Sequence, residues 1–519
     1  MKTLFTNAKV WLGKNYFADA VGFDSTDGNI DFVGKTAKAE QIQSDYDEVI
    51  DLKNKLVLPA FTDGHCHLVN GALESGELNL RNAKTKSDFV SIIKEYKKKE
   101  TKWIYGGHFS ETYFKEEIKI NRKFLDGICS DVPLLITRFD NHSGFANSKA
   151  LELTGIESIK NNFIKGEIIL NENGDLTGEL KEGAFYYVSD KIPDKTVQEK
   201  SALVLDKIKK LHSFGIVSVS DITQPEDLDV YEELLNKNKL NLKIYSILPF
   251  SEFVNIENHK KRFADFYSYI RLRCFKAYYD GALSSETALF WDNYKGKNHN
   301  GLNTDFVKRG DFKKIGEEID KASYQMAIHA IGDKAVSELL EFDKFLTEQN
   351  GVRKRRFRIE HAQHIRECDF KKFYDQKIIA SVQPTHLYID IKSAREKIKN
   401  IHTTHNYKQL IDRSVKVCFG TDFPIVEESP FETIYYAMTR KTDDDGEEFF
   451  SENKIDLVSC LEAYSINNTY AVFQDNVRGD IRIGKVADLI VLDDLFKMSP
   501  DEIRNARVDM TYMNGKRVY

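Results

Sequence analysis

The chain has 519 residues, with 75 Lys or Arg against 81 Asp or Glu, for a formal net charge of −6. Its 41% hydrophobic and 12% aromatic content supplies a large core and excludes disorder as the dominant state. The near-balanced charge without a basic run argues against a nucleic-acid reader. Six cysteines with no CxxC pair give no disulfide framework and fit a reducing, cytoplasmic setting. The opening MKTLFTNAKVWLGK lacks the apolar stretch of a signal peptide, and no run approaches the ~20 apolar residues of a membrane helix.

Taken in order, the chain begins with short β-type runs, TLFTNAKVWLG, NIDFVG and DEVIDLKNKLVLP, separated by Asp, Asn and Gly. It ends on similar runs, KVADLIVLDDL and RVDMTYMNGKRVY, where Asn514-Gly515 between apolar strands predicts a two-residue hairpin. Neither end holds enough strands for a sheet of its own. The expectation is one composite β domain built from 1–58 and 480–519.

Between the ends, eight β-rich segments alternate with helical patterns: 55–63, 215–222, 242–248, 270–278, 324–330, 356–362, 377–383 and 416–422. Such alternation predicts a parallel sheet, and eight units predict closure into a (β/α)8 TIM barrel across 59–479. The first interval is too long for one unit and carries its own elements, among them VPLLITRFDNHSG, so an inserted subdomain is expected at about 70–200. The polar, Gly/Asn-rich stretch 290–312 reads as an active-site loop or lid, and the acidic run Asp443, Asp444, Asp445 as a solvated turn.

The chemistry begins at Asp63-Gly64-His65-Cys66-His67, at the end of an apolar strand. Residues i and i+2 of a strand share a face, so His65 and His67 can grip one divalent metal. Ligand-type residues then recur at later strand ends: Lys276, His329, His361 and Asp422, separated by 53, 32 and 61 residues. In units of one βα repeat, these spacings place them on strands 4, 5, 6 and 8, all at the C-terminal rim where barrel enzymes keep their chemistry. Imidazoles with a carboxylate suit zinc, iron or manganese. A carboxylate such as Asp422 beside a metal-activated water can take its proton and later return it to a leaving group.

At this point the residues resemble a known family, the amidohydrolase superfamily, in its branch of N-substituted formamide deformylase and YtcJ-like hydrolases. The motifs are LPAFTDGHCHL, DNHSGFANSKAL, KAYYDGALSSETAL, AIHAIGDKAV, RIEHAQH, SVQPTH, GTDFPIVEESP and GDIRIGKVADLIVLD, spread nearly end to end. The resemblance implies a metal-dependent barrel hydrolase with a β-sandwich formed by both termini. It assigns His65, His67, Lys276, His329, His361 and Asp422 as ligands to one or two divalent ions, zinc first among them. Lys276 matches a lysine that is carbamylated (carboxylated) in many relatives, and Asp422 the general base.

Further residues are candidates for the substrate: His142 as a contact to the carbonyl, and Glu182, Asp280, Thr385, His386 and His364 as pocket lining. The expected reaction is hydrolysis of a non-peptide C–N bond in a small linear amide or formamide. The alternatives are an ester, lactone or cyclic amide cleaved with the same chemistry, or a scaffold that keeps the barrel without turnover. No nucleic acid or membrane partner is expected, and relatives of this kind often form homodimers.

Overall fold

The structure is a computed structural model that describes residues 1–100, 102–111, 114–140, 142–442 and 446–519. The acidic run at Asp443, Asp444 and Asp445 lies outside the described residues. The chain divides into two units, Met1–Val69 with Leu205–Tyr519, and Asn70–Val204.

The larger unit holds a parallel eight-stranded sheet: β1 (Phe61–Cys66), β2 (Ile216–Ile222), β3 (Lys243–Pro249), β4 (Ile270–Tyr278), β5 (Gln325–Ala330), β6 (Arg358–His361), β7 (Ile379–Val382) and β8 (Val417–Phe419). The strands follow one another in chain order across the sheet, and each neighbouring pair is parallel. Closure comes just past β8, where Cys66 and Phe423 form a parallel bridge. Helices such as Val197–Ser213, Asp333–Asn350 and Pro430–Thr439 fill the connections, so this is the (β/α)8 barrel that the eight alternating segments predict. Its strands are buried on both faces, which is why they read as apolar runs rather than as alternating ones.

Two further sheets lie in the same unit. One has four strands, in the order Ile30–Gly34, Ala20–Asp24, Lys2–Thr6 and Glu48–Asp51. The other has six, in the order Lys516–Arg517, Val508–Met513, Leu489–Leu492, Leu56–Pro59, Lys9–Trp11 and Phe17–Ala18, so residues from both termini share it. Phe5, Phe23 and Tyr512 pack edge to face with ring centroids 5.1–5.4 Å apart, in a buried cluster with Val10, Val57, Leu489 and Val491. The terminal hairpin turns on Asn514 (φ 52°) and Gly515 (φ 68°), both left-handed, as the Asn-Gly pair requires.

One predicted segment splits. The run at 55–63 is two strands, not one: Leu56–Pro59 pairs with Leu489–Leu492, and Phe61–Cys66 pairs with β2. Ala60 stands between them, its amide donating to Asp488 O, while the amide of Phe61 donates to Gly215 O. A continuous apolar run carries no mark of a change of partner, so the division is invisible in composition. The stretch at 290–312 is pinned by its own turns, with Phe290 N donating to Asn300 O and Tyr294 N to His299 O. Both rings are buried against Leu387 and Ile391 of the helix His386–Lys397.

The second unit is built on a mixed six-stranded sheet, ordered Ile168–Leu170, Leu176–Lys181, Ser143–Ala146, Leu134–Arg138, Ile104–Phe109 and Leu78–Asn79. Phe89, Phe109, Leu134 and Ile136 lie in one of its apolar clusters, and Leu135, Leu151, Leu180 and Phe185 in another.

Candidate metal centre

His65 is held at the end of β1 by Asp63, two residues earlier on the same strand. Asp63 Oδ1 accepts from the His65 and Thr421 amides at 3.0 and 3.1 Å, and Oδ2 from the Thr421 hydroxyl at 2.5 Å. Burial pushes the Asp63 carboxyl up to about 6, although these donors pull the other way. Gly64 fits because there is no room for a side chain: a Cβ there would sit 2.5 Å from Asn468 Oδ1 and 2.7 Å from Phe419 O.

Across the closing seam stands Asp422, with φ 59°. Its Oδ1 is 3.4 Å from His65 Nε2 and 3.2 Å from His67 Nε2, and its Oδ2 is 3.9 Å from His386 Nε2. Burial alone would raise this carboxyl, but the surrounding imidazoles hold it well below the usual carboxylate range. His361 closes the group at the end of β6, with its ring centroid 5.1 Å from that of His65 and 4.5 Å from that of His329. One ligand atom each from His65, His361 and Asp422 lies within 4.8 Å of the others, the grouping a single cation needs. His361 is also left-handed, at φ 71°, as is Ala362 at 43°; two strained residues in succession turn the chain at this rim.

Burial disfavours the charged form of three of these imidazoles. Burial, then the nearby Lys276 charge, lowers His65; burial and His329 lower His361; burial and Lys276 lower His329 to about 3. Neutral imidazole is the form that ligates. The remaining ring nitrogens face partners: His65 Nδ1 lies 2.5 Å from Glu360 Oε2, and His361 Nδ1 2.9 Å from Gln383 Oε1. With Nδ1 of each ring engaged, Nε2 is the nitrogen left to face a cation, so the donor set fits a divalent metal.

Lys276 is buried within β4 and, among the described residues, has no salt bridge; the Tyr278 ring lies 5.0 Å from its Nζ. Burial brings its ammonium down to about 8, against the pull of Glu360 and Asp422. His329 Nε2 turns towards Gly281 O at 3.3 Å, and its ring lies 5.3 Å from that of Tyr278.

The remaining candidates divide. His386 is buried beside Asp422. Asp280 is occupied by backbone: its oxygens accept from the amides of Leu289, Ile331 and Gly332, tying the segment after β4 to the end of β5. Thr385 Oγ1 donates to Thr433 Oγ1 at 3.0 Å. His364 is buried against Phe290, with the Thr404 hydroxyl 3.1 Å from its Nδ1. His142 and Glu182 belong to the second unit, where both are exposed and His142 Nδ1 lies 3.7 Å from Glu182 Oε2 and bonds to the Tyr186 hydroxyl.

Motif reading passed over Arg358, Glu360, Gln383 and Thr421. The signal for the first two was there: RFRIEH places an Arg and a Glu at i and i+2 in an otherwise apolar strand, the mark of an ion pair inside a barrel.

A closed parallel barrel with imidazoles and a carboxylate gathered at its C-terminal rim defines a (β/α)8 protein with a candidate divalent-cation centre. The sequence pattern of the amidohydrolase family matches residues 48–519, and the chain belongs to that family. It is 28% identical over 538 residues to the Arabidopsis thaliana protein LONG AFTER FAR-RED 3, covering 99% of this chain and 91% of that one. It is 24% identical over 516 residues to the N-substituted formamide deformylase of Arthrobacter pascens, covering 94% and 93%. The crystal structure of an uncharacterized metal-dependent hydrolase from Pyrococcus horikoshii OT3 superposes with a TM-score of 0.77 at 23% identity, covering 96% of this chain and 99% of that one, which shows the shared fold.

Proposed function

We propose that the protein is a metal-dependent hydrolase of a non-peptide C–N bond, acting on a small linear N-substituted amide or formamide. The observation that carries this reading is the convergence of His65, His361 and Asp422 within 4.8 Å at the rim of the barrel. These three residues would hold the ion, zinc by the character of the donors, with His67, Lys276 and His329 beside them. When bound, such an ion polarises a carbonyl and lowers the pKa of water towards ~7.

The chain's own residues supply the proton traffic. Asp422, kept ionised by its imidazole neighbours, takes a proton from the attacking water and returns it to the departing nitrogen. A buried Lys276 whose ammonium is brought down to about 8 suits conversion of its neutral amine, with carbon dioxide, to a carbamate and a released proton, giving the centre a second anionic donor. The likeness to a formamide deformylase supports the amide class of substrate. For His142 as a contact to the carbonyl, the support is the DNHSG motif alone.

The test is metal analysis of the purified chain together with a panel of N-substituted formamides, linear amides, esters, lactones and cyclic amides. Formamide or amide turnover that is lost on chelation and in Asp422→Asn is expected. Turnover confined to esters or lactones would move the substrate class and leave the metal chemistry standing. A non-catalytic scaffold is the second reading, favoured by a relative whose name, LONG AFTER FAR-RED 3, states no reaction. A chain that never retains a metal would support it.

A further inference from the structure

Beneath the candidate centre runs a chain of buried charge that the proposed proton transfers do not use. Arg358 and Glu360 lie two residues apart on β6, 1% and 0% exposed. Arg358 Nε donates to Glu360 Oε1 at 2.7 Å, and Nη2 donates to Gly64 O of β1 at 2.7 Å and to Ser381 Oγ of the neighbouring β7 at 3.2 Å. The other carboxylate oxygen, Oε2, is the one that meets His65 Nδ1 at 2.5 Å.

An ionised carboxylate without water is sustained only by full pairing, and here the guanidinium supplies it. A carboxylate so paired can only accept, so the His65 ring proton sits on Nδ1, and Nε2 presents its lone pair towards Asp422. We propose that Glu360, backed by Arg358, is a positioning residue that fixes the Nδ1–H tautomer of His65 and strengthens Nε2 as a donor to the divalent ion. Arg358 adds a second constraint by fastening the carbonyl of Gly64, the residue before His65. The other imidazole of the trio is backed by the neutral amide of Gln383. The two rings are therefore unequal donors, and His65 is the stronger.

This inference rests on the metal reading above, and its test separates the two. Full-length wild type and Glu360→Gln are titrated with Zn2+ against a competing chelator, and circular dichroism of the metal-free proteins checks the fold. Wild type is expected to bind, and the variant to bind about 10- to 100-fold more weakly, the usual loss when a partner behind a ligating histidine is changed. Affinities within twofold of each other in folded proteins overturn this inference alone, whereas a wild type that binds no Zn2+ overturns the metal reading along with it. If Glu360→Gln does not fold, 15N NMR of histidine-labelled wild type decides, with His65→Gln identifying the resonance. A proton on His65 Nδ1 supports the proposal, and a proton on Nε2 overturns it.

Discussion

The backbone amide of Asp422 donates to the carbonyl of His65 at 2.7 Å, and one residue further along the amide of His67 donates to Phe423 O at 2.8 Å. The barrel is thus fastened shut by the residues that carry the candidate centre. The distance between His65 and Asp422 is fixed by main-chain bonds, and the side chains inherit it.

His65→Ala and His361→Ala should each lower metal affinity by at least about tenfold, since even residues behind a ligand have effects of that size. Elemental analysis after dialysis against a weak chelator measures this. Unchanged metal content in both variants would place the ion elsewhere.

Gly64→Ala should destabilise the protein by roughly 1–3 kcal/mol through overpacking. The new methyl group would fall 2.5 Å from Asn468 Oδ1 and 2.7 Å from Phe419 O, the last residue of β8. Urea unfolding of both proteins gives the difference. A variant as stable as wild type would mean that the seam can open at little cost.

Asp488→Ala should cost about 3 kcal/mol, because it strands a buried cation. Lys243 Nζ donates to Asp488 Oδ1 at 2.6 Å, both residues are buried, and the Asn514 amide donates to the same oxygen at 2.9 Å. Burial already lowers the Lys243 ammonium to about 8. Denaturant melts at pH 7 give the loss, and replacing both partners by apolar residues should recover much of it.

Acid should weaken the fold through His212. Burial lowers its imidazole from 6.5 to about 4, although a bond to Asn241 O opposes the shift. The folded state therefore disfavours the proton, so the contribution of this residue is intact above pH 6.5 and is lost as the pH falls towards 4, by roughly 3 kcal/mol in the limit. His212→Gln should flatten the stability profile between those values. Unfolding free energies measured along a pH series would show the same slope in both proteins if the idea is wrong.

The barrel was legible because most βα units repeat one strand–helix pattern, and the Asn514-Gly515 turn because such residues readily accept two left-handed angles. His65, His361 and Asp422 were legible for a related reason: each falls at or just past the end of a barrel strand, where the chain reaches the rim. What sequence could not show was pairing between distant positions. Nothing in LVLPAF says that Leu58 joins Ile490 while Phe61 joins Ile216. Asp280 illustrates the same limit from the other side: nothing in the sequence says that its oxygens accept from the amide of Leu289, nine residues on, and from those of Ile331 and Gly332, about fifty residues on.

Ala60 alone separates a strand pinned to Leu489–Leu492 from the strand that ends beside His65. A one-residue slip in the outer pairing would be carried without slack along the continuous backbone and would swing His65 from the mouth to the wall. Mutations near the carboxyl terminus, far from any reacting atom, can therefore spoil the centre by changing the phase of a single strand.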